Sequence, residues 1–130
     1  MNTVALACVA ALGLLLFGLG LSVSALRFKL NQLSSHTVVA DSLLHRLVRA
    51  HGNATEYVPL LAVLMLYLGA REPQPWVVAC FVGATVSRFA LATGLVFPAS
   101  MARPNVLRFV GALGTYLFGA ALCIALIVGA

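Results

Sequence analysis

The stretch 41-DSLLHRLVRAHGNATEYVPLLAVLMLYLG-69 decides how this chain folds. Its second half, from Val58 to Leu68, is apolar enough to lie in a membrane. Its first half holds Asp41, His45, Arg46, Arg49, His51, Asn53, Thr55 and Glu56. Two Arg, a Glu and an Asn cannot face lipid, because one Arg at the centre of a span costs about 2.5–3.5 kcal/mol on the insertion scale. They face a bundle interior, a subunit interface or a water-filled cavity. At about 100° per residue, Arg46, Arg49, Asn53, Glu56 and Tyr57 share one stripe. A solvated helix protruding from the membrane is the plainer alternative. It fits poorly, because Glu56 lies roughly 20 Å inside when counted back from Gly69 at 1.5 Å per residue.

The rest of the chain supplies the context. It has 130 residues, of which 62% are apolar and 8% charged. A short soluble chain buries only about 60–70% of the surface it exposes when unfolded, so so much apolar surface excludes a soluble enzyme. Three further apolar runs bracket the first, giving spans at about 3–26, 41–69, 76–97 and 105–128. Within hydrocarbon a helix satisfies its own backbone groups, and no β-barrel alternation is present. The expected architecture is an all-α integral membrane bundle of four transmembrane helices in one domain. The first 26 residues carry no Lys or Arg, so the basic start of a signal peptide is missing and the run is expected to be a retained span. Pro73, Pro75, Pro98 and Pro104 punctuate the loops. Pro59 frees the carbonyl of Thr55, which predicts a kink or local loosening.

The net charge is +5, yet no basic run or recognition motif points to nucleic acid. The charges instead mark topology. Arg27 and Lys29 in the first loop and Arg103 in the third lie on one side, with Arg108 just inside the fourth span. That side is expected to be cytoplasmic, with both termini outside. Cys8, Cys80 and Cys123 lie singly in apolar segments, as small buried residues do. No metal site is expected: His45 and His51 are six residues apart, off the same-face spacing of helical ligands.

Arg88 is the one charge of the third span. It starts from the same loop as Glu56 and reaches the same depth, about 18 Å of helix from Trp76. An unpaired charge there is expensive, so the two are expected to be neighbours. An excess of Arg over acid suggests a ligand with carboxylates and an amine, such as a small zwitterionic peptide.

The run 49-RAHGNATEYVPL-60 resembles the signature of the MAPEG family, membrane-associated proteins in eicosanoid and glutathione metabolism. The pattern is Arg, Asn four residues on, Glu three further, an aromatic neighbour, then Pro. The third-span Arg and the four-helix organisation agree, and the likeness is strongest to small bacterial members of the inner membrane. The resemblance implies a homotrimer that binds glutathione between subunits near the cytoplasmic side. It implies that Arg27, Arg46, Arg49, Asn53, Glu56, Tyr57 and Arg88 contact glutathione. It also implies that Arg108, or Arg103, activates the thiol, since a nearby guanidinium lowers a thiol's pKa. A lipophilic small molecule would arrive from membrane lipid. Catalytic relatives carry Tyr in the second half of the third helix, whereas 88-RFALATGLVF-97 has neither Tyr nor His. A non-catalytic branch lacks the signature Glu, which is present here as Glu56. The expected function is thus a glutathione transferase or peroxidase. The alternatives are a non-catalytic lipid or conjugate binder of the same fold, and a small multidrug transporter. The last is disfavoured because the first span has no acid and Glu56 stands among Arg.

Overall fold

The computed structural model describes residues 1–32 and 37–129. They form four helices: α1 (Thr3–Lys29), α2 (Leu43–Gly69), α3 (Pro75–Val96) and α4 (Val106–Val128). No strand occurs among the described residues. The helix ends follow from local chemistry. Asn2, Ser42 and Asn105 cap α1, α2 and α4, their side chains accepting orphan amides of the first turn. Pro75 stands at the start of α3, where a missing N–H costs nothing. Two boundaries differ from the sequence reading by more than one residue. Helix α1 runs through Arg27 to Lys29, since cations suit the last turn of a helix. Helix α2 starts at Leu43 and not at 41, because Asp41 takes a left-handed φ of 56° that no helix continues. Helix α2 passes unbroken through Pro59.

Helices α1, α3 and α4 are long and apolar enough to cross a membrane. Helix α2 is as long as α1, at 27 residues. It falls short in apolar character because its first half carries the polar stripe. It nevertheless lies antiparallel along α1: the Asn2 amide donates to the Gly69 carbonyl at 2.7 Å, joining the start of one to the end of the other. A 27-residue helix is about 40 Å long, enough to cross the bilayer beside its neighbour.

The core is centred on α2, between α3 on one side and Ala5, Cys8, Leu12 and Leu19 of α1 on the other. Leu47, Ala50, Ala54, Val58, Leu61 and Met65 recur every three or four residues on α2 and are buried. They meet Val77, Phe81 and Ala84 of α3. Helices α1 and α4 flank this pair on opposite sides. Their outer faces stay apolar and bare, with Phe17 77% and Ile127 83% exposed. Water would not tolerate such faces, and lipid does. Hydroxyls inside the spans bond back to the preceding turn, Thr85 to Phe81, Ser87 to Gly83 and Thr115 to Gly111, all within 2.8 Å.

The α3–α4 contact is the most extensive in the bundle, and glycines allow it. A Cβ on Gly94 would lie 2.6 Å from the Arg108 amide nitrogen, and one on Gly111 would lie 2.7 Å from the Ser87 carbonyl oxygen. Helix α2 makes a similar accommodation with α1, where Gly20 leaves room for the His51 ring.

Candidate functional site

The polar stripe of α2 opens into a cavity of about 760 Å³ among α2, α3, α4 and the 97–105 loop. Arg49, Asn53, Tyr57, Arg88 and Arg108 form its polar wall, and Leu91, Leu95, Val106, Phe109 and Ala112 its apolar wall. The helical spacing of α2 explains the first group. Arg49, Asn53 and Tyr57 follow at intervals of four, and each is about 40° ahead of the last around the helix, so the three share one face that lines the cavity.

Arg88 is the centre of the site. It is 1% exposed. Its Nη2 donates to Asn53 Oδ1 at 2.8 Å. Its guanidinium carbon lies 5.2 Å from the centre of the Tyr57 ring, within cation–π range. Its Nε and Nη1 are buried without a hydrogen-bond partner. The Tyr57 ring packs at 55° against Tyr116 of α4, centroids 5.9 Å apart.

The expected neighbour of Arg88 was Glu56. Among the described residues no ion pair joins them, and Asn53 takes the place. Equal depth was a sound inference, but direction around the helix decides contact. Glu56 falls on the outward edge of α2 and is exposed, as is Arg49. Glu56 does not line the cavity.

The remaining candidates separate clearly. Arg46 turns away from the cavity and closes the end of α3, donating from Nη1 to the Val96 carbonyl at 2.9 Å and to that of Pro98. Arg27, at the end of α1, donates to the Gln32 carbonyl at 3.4 Å and does not line the cavity. Arg108 lines the cavity, with its Nη1 donating to the Met101 carbonyl at 2.9 Å. Arg103 is exposed on a separate depression of about 390 Å³ with Pro98 and Ser100.

Tyr116, Thr115 and Asn105 also line the cavity and were not singled out in the sequence. The signal was available: Ala112 and Tyr116 follow Arg108 at intervals of four, the same device that sorted α2. Asp41 was noticed only as a polar residue. Its carboxylate accepts from the Ser100 hydroxyl at 2.7 Å and the Met101 amide at 3.1 Å. The Ser100 bond first, then the Met101 bond, hold this carboxyl below its ordinary value of 3.8; His45 and Arg46 add to the effect and desolvation opposes it. The stabilisation from this tie is therefore complete above the unfolded value and is lost as pH falls through the lower folded value. Titrating the Asp41 carboxyl carbon by NMR in detergent should give a midpoint below 3.8. A midpoint at or above that value would show that the tie does not persist in solution.

Among the described residues no group of His, Cys, Asp and Glu is placed to hold a metal ion. The model of the MAPEG family matches residues 5–128. No curated protein and no solved structure gives a significant match.

Proposed function

The chain belongs to the MAPEG family, and from that premise we propose that it binds glutathione in the α2–α3–α4 cavity and uses its thiolate against lipophilic electrophiles. Membership supports a membrane function of the glutathione-related transferase or peroxidase type in general. The observation that carries the finer reading is Arg88, a buried guanidinium lining the cavity with Nε and Nη1 unpartnered. Such a group is costly unless an anion completes it. Glutathione offers two carboxylates and one ammonium. Arg88 and Arg49 supply donors for the carboxylates, and Asn53 and Asn105 offer neutral hydrogen bonds.

Arg108 lines the cavity where its polar wall meets the apolar residues Val106 and Phe109 of the same helix. A guanidinium there favours the thiolate over the thiol, the proton passing to water. In a transferase step the sulfur lone pair forms a C–S bond with the electrophile, and the leaving group departs with the electrons of the broken bond. In a peroxidase step the thiolate attacks the outer oxygen of a hydroperoxide. The O–O bond breaks and an alkoxide leaves to take up a proton. A second glutathione thiol then converts the sulfenic acid to a disulfide, releasing water.

The same reading extends to assembly. Arg49 at the cavity mouth and Glu56 beside it are exposed on the polar half of α2, where lipid would leave them unpaired. Neighbouring subunits of a homotrimer would cover them, with Arg27 contributed across the boundary. The 97–105 loop lines the cavity at the end of the bundle that carries Arg27, Lys29 and Arg103, and an excess of basic residues on that side supports a cytoplasmic aspect; we place the protein in a bacterial inner membrane on its likeness to small bacterial members of the family.

The test is glutathione binding by calorimetry together with thiolate ultraviolet absorbance, on detergent-purified protein. Arg108→Ala should keep most of the binding and lose the thiolate signal, and Arg49→Ala should weaken binding about tenfold, the worth of one charge-assisted contact. No binding by the wild type would sink the proposal. A second reading, binding without turnover, is favoured by the lack of Tyr and His between Arg88 and Phe97. Thiolate formation with no conjugation of a model electrophile and no reduction of a lipid hydroperoxide would select it.

A further inference from the structure

The rim of the cavity is tied to the entry turn of α2. Asp41 stands immediately before the Ser42 cap, in a left-handed conformation that Asp tolerates better than most residues. This turns its carboxylate toward the 97–105 loop, about sixty residues away in sequence. One oxygen accepts the Met101 amide, which belongs to the 100–101 peptide plane. The other accepts the Ser100 hydroxyl, and that same Ser100 oxygen accepts the Ala102 amide at 3.1 Å. The Ala102 amide shares a rigid plane with the Met101 carbonyl. That carbonyl is the acceptor for Arg108 Nη1 at 2.9 Å.

One carboxylate thus holds both peptide planes around Met101, one directly and one through the Ser100 hydroxyl. The second plane presents the oxygen that orients the cavity guanidinium. Other groups pin the surroundings. The Asp41 amide donates to His45 Nδ1 at 3.1 Å, Arg46 holds the Val96 and Pro98 carbonyls, and Asn105 caps the Arg108 amide. None of these reaches the Met101 peptides.

We infer that Asp41 is a positioning residue for Arg108, acting through Ser100 and the two Met101 peptide planes. The inference rests on the proposal that Arg108 faces the bound thiol. A carboxylate suits the task because it accepts two hydrogen bonds at once, both strengthened by its charge. Charged and titratable groups around the tie are His45 and Arg46 of α2, Arg108 of α4, and Arg103 of the loop, which lines a depression with Ser100.

The experiment compares wild type, Asp41→Ala, Asp41→Asn and Ser100→Ala in two measurements. The first is the pH midpoint of thiolate absorbance with added glutathione. The second needs no ligand: the rate at which phenylglyoxal modifies Arg108, read by mass spectrometry against Arg71 at the far end of the bundle. Asp41→Ala should raise the thiolate midpoint by about half a unit, roughly a threefold loss of thiolate near neutrality. It should also speed labelling of Arg108 several-fold with Arg71 unchanged. Ser100→Ala should move both readouts the same way while leaving the charge in place. Asp41→Asn can accept from Met101 and donate to Ser100, and should restore both toward wild type. Asp41→Ala with wild-type labelling of Arg108 would overturn the inference, as would equal acceleration at Arg71, the mark of general loosening. A wild type that forms no thiolate defeats the glutathione reading, and the labelling ratio then decides the tie alone.

Discussion

Replacing Arg88 and Asn53 together by Met and Leu is expected to leave the bundle as stable as the wild type, or more so, and to abolish glutathione binding. The two residues form a partnership of one hydrogen bond at 2.8 Å, and two nitrogens of the guanidinium are left without protein partners. A buried ion so incompletely paired contributes little net stability, and apolar replacement of such groups is commonly neutral or stabilising by about 1–4 kcal/mol. Arg88→Met alone strands the Asn53 oxygen and should cost about 1–3 kcal/mol. The double variant removes that orphan as well. Binding should respond oppositely. Two charge-assisted hydrogen bonds lost at about 1.5–3 kcal/mol each correspond to at least a hundredfold in affinity. Thermal unfolding and calorimetry on the four members of the cycle check both halves. A double variant that unfolds far below the wild type would make Arg88 a structural residue and remove the main support for the ligand site.

Gly111→Ala is expected to lower the apparent unfolding temperature more than any other single methyl added at a helical glycine of α4. The new Cβ would meet backbone, namely the Leu91 amide and the Ser87 carbonyl of α3. A side chain could swing aside, but two helical backbones can relieve the clash only by moving apart along the largest contact of the bundle. Overpacking of this kind costs about 1–3 kcal/mol. Gly119→Ala is the matched control, since its Cβ would meet only the Leu61 Cδ2 at an ordinary 3.8 Å. Gly114 is intermediate, because its obstacle is the Ser87 side chain. Equal effects at Gly111 and Gly119 would show that the α3–α4 packing is not as close as described. Gly94→Ala joins stability to function, because its Cβ would press on the backbone of Arg108 at the cavity wall. It should therefore shift the thiolate midpoint as well as the unfolding temperature.

These predictions turn on features of different origin. That the chain forms four long apolar-flanked helices followed from 62% apolar composition and from runs of about twenty residues, because a bilayer leaves the backbone no other local solution. That Arg49, Asn53 and Tyr57 line one cavity followed from their spacing of four, since one helix sets the relative angles of its own residues. The same logic, carried to Arg108, reaches Tyr116.

Periodicity within a helix is silent about which angle faces which neighbour. Glu56 and Arg88 agree in depth, yet Asn53 holds the guanidinium, because the azimuth at which α2 meets α3 is set by the packing of Ala54, Val58, Phe81 and Ala84. Arg46 belongs to the same stripe, yet it closes the end of α3 because that helix stops beside it. The choice between Arg108 and Arg103 depends on the course of a nine-residue loop, which places one in the cavity wall and the other outside it. Asp41 reaches that loop from the entry turn of α2, where its backbone takes a φ of 56°. The sequence by itself determined the membrane, the helices and the row of polar groups, all consequences of solvent and local geometry. Only the tertiary structure decided the partners of Arg88, Arg46, Arg108 and Asp41, because those contacts join segments tens of residues apart whose relative rotation is a property of the packed bundle.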